Sequence, residues 1–324
     1  MSIAALPATA FIVLAAISAP VAIVLGVVPF FVVIPVLLWM DRLEPEPWSA
    51  RLHALLWGAF VAGSVSLVVN TIVSLAIGDI AAAVLSAPII EEVTKAGAIL
   101  WAVRRREVDG VMDGLVYAGW TALGFAVIED FSYFAAAAED DLLVETFVAR
   151  ALLTPFAHPL FTAWTGVAIG LAVRHRQPLK TAWWGLVLAI GAHALWNGSL
   201  ALSEVGDGGA IVALAATFLF VLLFLVTFVG VIKLRQRDAN RLTELFPFIA
   251  QRYSIPPDRL FVATNLRARR RSRNALEPHR RKQFDQEIAA IARLAALFDH
   301  ASAPDSEDEA RLVTQLDRAR NRGG

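Results

Sequence analysis

The chain contains no cysteine. That excludes disulfides, thiolate metal sites and a cysteine nucleophile. Lysine is scarce, with Lys95, Lys180, Lys233 and Lys282 the whole set. Charged residues make up only 18% of the 324 and the formal net charge is zero, so bulk electrostatics selects no partner. The N-terminus lacks a basic n-region and a cleavage site, so it reads as a membrane span rather than a removed signal. No internal repeat of solenoid length is apparent. What is abundant is apolar. Hydrophobic residues reach 57% and mean hydropathy is +0.59, where soluble domains sit at about 45–50% apolar.

The excess is gathered into blocks at 8–40, 52–77, 80–103, 111–138, 147–173, 181–203 and 209–232. Each of the last six is long enough for one membrane helix at about 1.5 Å per residue. The first exceeds one comfortable span, and Pro20, Pro29 and Pro35 could divide it. The expected fold is all-α: a polytopic transmembrane helix bundle of seven or eight spans over 1–234. A basic cytoplasmic tail, partly helical or disordered, follows over 235–324. Basic connections at Arg104–Arg106, Arg174–Lys180 and Lys233–Arg237 alternate with acidic ones at Glu139–Glu145 and Glu204–Asp207. By the positive-inside rule the basic connections and the C-terminus are cytoplasmic. Trp48, Trp101, Trp183 and Trp184 fall at the cytoplasmic ends, where interface anchors sit. In the tail, Arg267–Arg273 is strongly basic and Phe284–Phe298 reads as an amphipathic helix. Anionic lipid headgroups are the partner that pattern favours, with no nucleic acid expected.

The informative residues are polar groups inside the apolar blocks. One block holds Glu91, Glu92 and Lys95. The next holds Glu129 and Asp130. Then come His158 and, one block later, His193 with Asn197. An ionised group at mid-bilayer costs at least about 2.5–3.5 kcal/mol on insertion scales. Residue counts put Glu91 and His193 each roughly 18 Å from the cytoplasmic face. Lipid cannot solvate such groups, so helices carrying them at similar depth are expected to turn them toward one another. Glu91 and Lys95 share a helix face, as do His193 and Asn197. Gly166 and Gly170 give the His158 helix a small-residue face for close packing. Ionised, the four carboxyls carry −4 and Lys95 returns +1, so some carboxyls are protonated or a cation joins them. Glu and His suit Zn²⁺, which would generate a nucleophile from water. The alternative is a Glu general base acting on water directly, with Asn197 and a His stabilising the oxyanion. His53, His175, His279 and His300 read as structural or solvated, Tyr133 as an interfacial aromatic, and the last block as scaffold.

In their order and spacing these residues resemble the PrsW family of intramembrane proteases, within the wider group that includes the CAAX prenyl endopeptidases. The resemblance runs from about Asp41 to Asn197. It rests on DRLEPEPW at 41–48, EEVTK at 91–95, GFAVIED at 124–130 with Tyr133, PFAHPLFT at 155–162 and HALWN at 193–197. It implies a helical bundle in a bacterial cell membrane that hydrolyses peptide bonds of membrane-anchored proteins. The family's best-known substrate is an anti-sigma factor. By position, Glu91 and Glu92 match the glutamate pair, and His158, His193 and Asn197 match the later motifs. The prenyl endopeptidases carry His where this chain has Glu129, which points away from prenyl-protein processing. Asp130 stands where relatives often have Asn.

The resulting expectation is an intramembrane metalloendopeptidase. Glu91 or Glu92 is the general base, and Lys95 tunes the pair. Glu129, His158 and His193 hold a divalent metal, zinc for preference, and Asn197 stabilises the oxyanion. The rivals are a metal-free glutamate protease, a proton-coupled transporter or ion pathway, and a non-catalytic scaffold.

Overall fold

The computed structural model of the chain describes residues 6–10, 13, 20–203, 208–299 and 306–321. The acidic connection through Glu204 and Asp207, His300 in the tail, and residues 11, 12 and 14–19 of the first apolar block lie outside the described residues. Every regular element among the described residues is a helix. Lipid offers peptide groups no partner, and a helix satisfies them within its own segment.

Seven long helices carry the apolar blocks. They are α1 (Pro20–Met40), α2 (Trp48–Ile77), α3 (Ala87–Arg104), α4 (Val111–Glu139), α5 (Ala157–Arg174), α6 (Trp183–Ser203) and α7 (Gly209–Tyr253). Six stretches are long and apolar enough to cross a membrane: Pro20–Met40, Trp48–Ile77, Val111–Glu139, Leu143–Arg174, Leu179–Ser203 and Ile211–Tyr253. The expectation of seven or eight is therefore met only in part. Block 80–103 becomes α3, whose Glu91, Glu92, Lys95 and Arg104 make it too charged to count. In the first block a turn at Val27 separates helix Pro20–Gly26 from helix Val28–Met40, with Pro29 in the first turn of the latter and Pro35 inside it.

The chain separates into two compact units. The first comprises Met1–Trp39 and Glu46–Phe228. Its axis is α4, of which 89% of the most apolar window is buried, against 6% for α7. A helix that is apolar all round suits a position surrounded by other helices. Small residues let it be surrounded closely. A Cβ added at Gly166 on α5 would lie 2.3 Å from the Gly114 carbonyl oxygen of α4, and one at Gly124 on α4 would lie 1.9 Å from the Leu55 carbonyl oxygen of α2. These contacts need glycine because backbone meets backbone there. The small-residue face expected from Gly166 and Gly170 is thus the α4–α5 seam: a Cβ at Gly170 would lie 2.5 Å from the Gly110 carbonyl oxygen. The start of α4 is fixed by Asp113, whose carboxylate accepts the backbone N–H groups of Asp109 and Gly110 at 3.0 and 3.1 Å. Exposed apolar side chains of α7, among them Ile211, Leu214, Phe218 and Leu225, form a surface for lipid tails.

The second unit comprises Met40–Pro45 and Val229–Gly324. Here α7 continues unbroken past residue 234 to Tyr253. It is followed by α8 (Pro257–Thr264), α9 (Leu266–Asn274), α10 (Pro278–Asp299) and α11 (Ser306–Asn321). The amphipathic stretch read at Phe284–Phe298 lies in α10, and its Phe284, Ile288, Ile291 and Leu294 pack with Ile249, Leu260 and Leu316 in a core. Arg269 donates to the carbonyls of Arg42, at 2.8 Å, Leu43 and Ala263. Arg293 donates to that of Pro45 at 2.9 Å. Burial pushes the Arg269 pKa down to about 10, which leaves it charged at neutral pH.

Gly166→Ala is expected to destabilise the purified protein by about 1–3 kcal/mol, since its methyl meets backbone that must shift. A Cβ at Gly191 has nothing within 4 Å, so Gly191→Ala serves as the neutral control. Thermal unfolding in detergent compares the two.

Candidate active site

Helix α3 brings Glu91, Glu92 and Lys95 to the interior of the first unit, 2%, 0% and 0% exposed. Their spacing makes this possible: residues three and four apart share a face, and the doublet flanks it. The Lys95 Nζ donates to Glu92 Oε1 at 2.9 Å, to Glu91 Oε2 at 3.5 Å and to His158 Nδ1 at 3.1 Å. It also lies 3.9 Å from the centre of the Phe125 ring. An ammonium has three hydrogens, and each finds an acceptor. Glu92 is further bonded by the Thr162 hydroxyl at 2.8 Å and by His193 Nδ1 at 3.2 Å. Glu91 is held more loosely, by the Asn70 amide at 3.4 Å, and Ser86 steadies Asn70 at 2.8 Å.

The neighbours of each imidazole decide its tautomer. His158, on α5, has Lys95 at Nδ1 and Glu129 Oε2 at Nε2, 2.8 Å away. An ammonium only donates and a carboxylate only accepts, so the proton sits on Nε2 and Nδ1 carries the lone pair. His193, on α6, gives its Nδ1 hydrogen to Glu92, which leaves the Nε2 lone pair facing Glu91 Oε2 at 3.9 Å. Two acceptors facing each other across that gap are satisfied by a proton or by a cation. The two rings meet edge to face with centroids 5.3 Å apart, and Phe161 stacks on His193 at 4.9 Å.

Glu129 and Asp130, near the far end of α4, share one partner. Arg150 lies in the π-helical turn Val148–Leu153. Its Nε donates to Asp130 Oδ1 at 2.6 Å, its Nη2 donates to Glu129 Oε2, and its guanidinium covers the Tyr133 ring at 3.8 Å. Tyr133, read above as an interfacial aromatic, is part of this clamp. Asn197 donates to the Ala83 carbonyl at 2.9 Å, tying α6 to the π-helical turn Ala82–Ser86. His53 stacks on Trp101 at 3.6 Å, a packing role.

Of the residues expected at the site, Glu91, Glu92, Lys95, Glu129, His158 and His193 are joined by these contacts, whereas Asn197 bonds Ala83. Glu91, His158 and His193 each offer a ligand atom within 4.8 Å of the others, and all three are buried. Glu129, expected in that set, bonds His158 Nε2 at 2.8 Å. The charge count also changes. Arg150 brings the four carboxylates and Lys95 from −3 to −2, the deficit that one divalent cation offsets. Three carboxylate or imidazole donors within 4.8 Å of one another, in a buried cluster short by two positive charges, fit such an ion. Sequence reading missed Arg150, Thr162, Asn70 and Ser86. Arg150 lies within apolar block 147–173 and breaks the same rule as the glutamates. The hydroxyl and amide side chains gave no signal.

Residues 46–230 match the family model described as PrsW family intramembrane metalloprotease. The chain belongs to the PrsW family. One curated PrsW relative, Protease PrsW of Geobacillus kaustophilus, is 32% identical over 150 residues. The match covers 45% of this chain and 64% of that protein. No solved structure matches. The PrsW match begins at Glu46, which accepts a hydrogen bond from Tyr117 at 2.8 Å, and it spans every residue of the polar centre. Membership of PrsW does not favour the transporter reading.

Lys95→Met removes the cation that joins Glu91, Glu92 and His158 and leaves buried carboxylates uncompensated. A loss of about 3–5 kcal/mol in stability is expected. Chemical unfolding in detergent reads it, and a change below about 1 kcal/mol would show that the ammonium is not what holds the centre.

Proposed function

We propose that the protein is an intramembrane metalloendopeptidase acting on membrane-anchored protein substrates in a bacterial cell membrane. The observation that carries the proposal is the convergence of Glu91, His158 and His193 from three helices within 4.8 Å in the buried interior of a PrsW-family chain. A divalent ion, zinc for preference, supplies Lewis acidity and a nucleophile at neutral pH when bound there. Glu91, His158 and His193 hold it, and Glu129 orients His158. This moves Glu129 out of the ligand set expected from sequence. Glu91, the more loosely bonded of the pair, would hold the ion through one carboxylate oxygen and take the proton of the attacking water on the other. Glu92 and Thr162 fix His193 and Lys95. Asn197 carries a second amide hydrogen besides the one given to Ala83, and that hydrogen is offered to the tetrahedral oxyanion. The substrate class that the resemblance implies is a membrane-anchored anti-sigma factor.

A metal-free glutamate protease is the second reading. Lys95 already places one cation among Glu91, Glu92 and His158, which lets Glu91 act on water directly.

The test compares membrane-protein fragments, by N-terminal peptide mass spectrometry, between cells with the wild-type chain and cells with Glu91→Ala, Glu92→Ala, His158→Ala or His193→Ala. Each variant is expected to lose the wild-type fragments while remaining in the membrane. Identical fragments in all four refute the site. For the purified enzyme on a fragment-derived substrate, chelation abolishes cleavage and Zn²⁺ restores it on the metal reading. On the second reading cleavage persists.

We propose that the C-terminal unit lies in the cytoplasm, and that the arginines of 267–273 other than Arg269, which bonds backbone carbonyls, meet anionic lipid headgroups. The absence of cysteine permits a clean check. Asp140→Cys should label in intact cells with an impermeant thiol reagent, and Arg104→Cys only after permeabilisation. The reverse pattern inverts the topology.

A further inference from the structure

Arg150 has no place in the ligand set, yet it is the only described residue whose bonds join Glu129 and Asp130. It is anchored on both sides. Ala151, next to it, packs in a cluster with Ala22 and Phe134, and Tyr133 lies beneath its guanidinium. Three residues separate its turn from α5, and Arg150 stands eight residues before His158. Glu129 Oε2 therefore receives two donors, Arg150 Nη2 from outside and His158 Nε2 from the centre. A carboxylate held by a planar guanidinium cannot swing or take up the proton of the imidazole without breaking that contact.

We propose that Arg150 is a positioning residue for the centre: by clamping Glu129 and Asp130 it holds Glu129 against His158 Nε2–H and so keeps His158 Nδ1 unprotonated, with its lone pair on the side where Lys95 Nζ lies. The proposal rests on the site reading given above, since it takes His158 Nδ1 as a working atom. Lys95 at Nδ1 demands the same tautomer from the other side of the ring. Arg150 and Lys95 thus grip one imidazole between two opposite charges-to-hydrogen-bond relationships, the first through a carboxylate and the second directly. Tyr133 and Asp130 limit the guanidinium to that one orientation.

Two measurements on full-length protein in lipid nanodiscs test this. The first is ¹⁵N NMR of histidine-labelled chain, with His158→Gln assigning the His158 signals. Wild type is expected to show a single form protonated at Nε2. Arg150→Gln and Glu129→Gln should each convert it to a mixture of tautomers, and Arg150→Lys should retain most of the single form. The second is Co²⁺ binding followed by its visible absorption. Arg150→Gln should weaken binding about 10–100-fold, and the Arg150→Gln, Glu129→Gln double variant should bind no worse than Glu129→Gln alone. Unchanged His158 signals in both single variants overturn the proposal. So do losses that multiply in the double variant. If Arg150→Gln does not fold, Arg150→Lys and Glu129→Gln still decide, through the retained or lost Nε2–H form. A wild type that binds no Co²⁺ but loses its single tautomer in Arg150→Gln leaves the positioning role standing and removes the metal reading.

Discussion

One buried ammonium organises this molecule. Lys95 has no exposure to solvent, and its three hydrogens reach two carboxylates of its own helix and an imidazole of another. In lipid or protein interior such a group is tolerated only when each hydrogen is accepted and opposite charge stands close. That requirement fixes which face of α3 turns inward and which face of α5 meets it. Once they are fixed, His193 on α6 has one carboxylate, Glu92, to bond and another, Glu91, to face. The polar centre is thus a consequence of satisfying charges where water is scarce.

The rest of the first unit serves to bring these helices close. Carboxylates and imidazoles can share a pocket under 5 Å across only if their backbones approach tightly. Glycines at the seams of α4 with α2 and α5 allow that approach. The arrangement leaves a centre with a charge of −2 when its carboxylates are ionised. Residues 46–230 match a family model described as an intramembrane metalloprotease, and the divalent ion proposed above would offset that deficit. The second unit has a hydrophobic core of its own, and its arginines hold the carbonyls of the short segment Met40–Pro45.

Much of this was legible in the residues. The all-helical character follows from the length of the apolar blocks, and the centre follows from the cost of placing Glu91, Glu92, Glu129, His158 and His193 inside them. The small-residue face at Gly166 and Gly170 marked a seam correctly. Three things were not legible. Pro20, Pro29 and Pro35 suggested a divided first block; the helix is interrupted at Val27, just before Pro29, while Pro35 is accommodated inside Val28–Met40. The apolar residues of α3 made its block look like an ordinary span by averaging, although Glu91, Glu92, Lys95 and Arg104 give the helix four charges. The partition of carboxylates between Glu91 and Glu129 depends on rotamers and on Arg150, a residue far in sequence from either. Spacing on one helix predicts which groups share a face, but not which partner arrives from the next helix.

The central claim is that this buried centre takes up one divalent cation through Glu91, His158 and His193. The most direct measurement is metal content per chain, by mass spectrometry of elements, in protein purified without chelator or affinity metal. About one equivalent in the wild type, lost in Glu91→Gln and in His193→Ala while both remain folded, is the predicted result. A wild type that cleaves its substrate with no bound metal contradicts it.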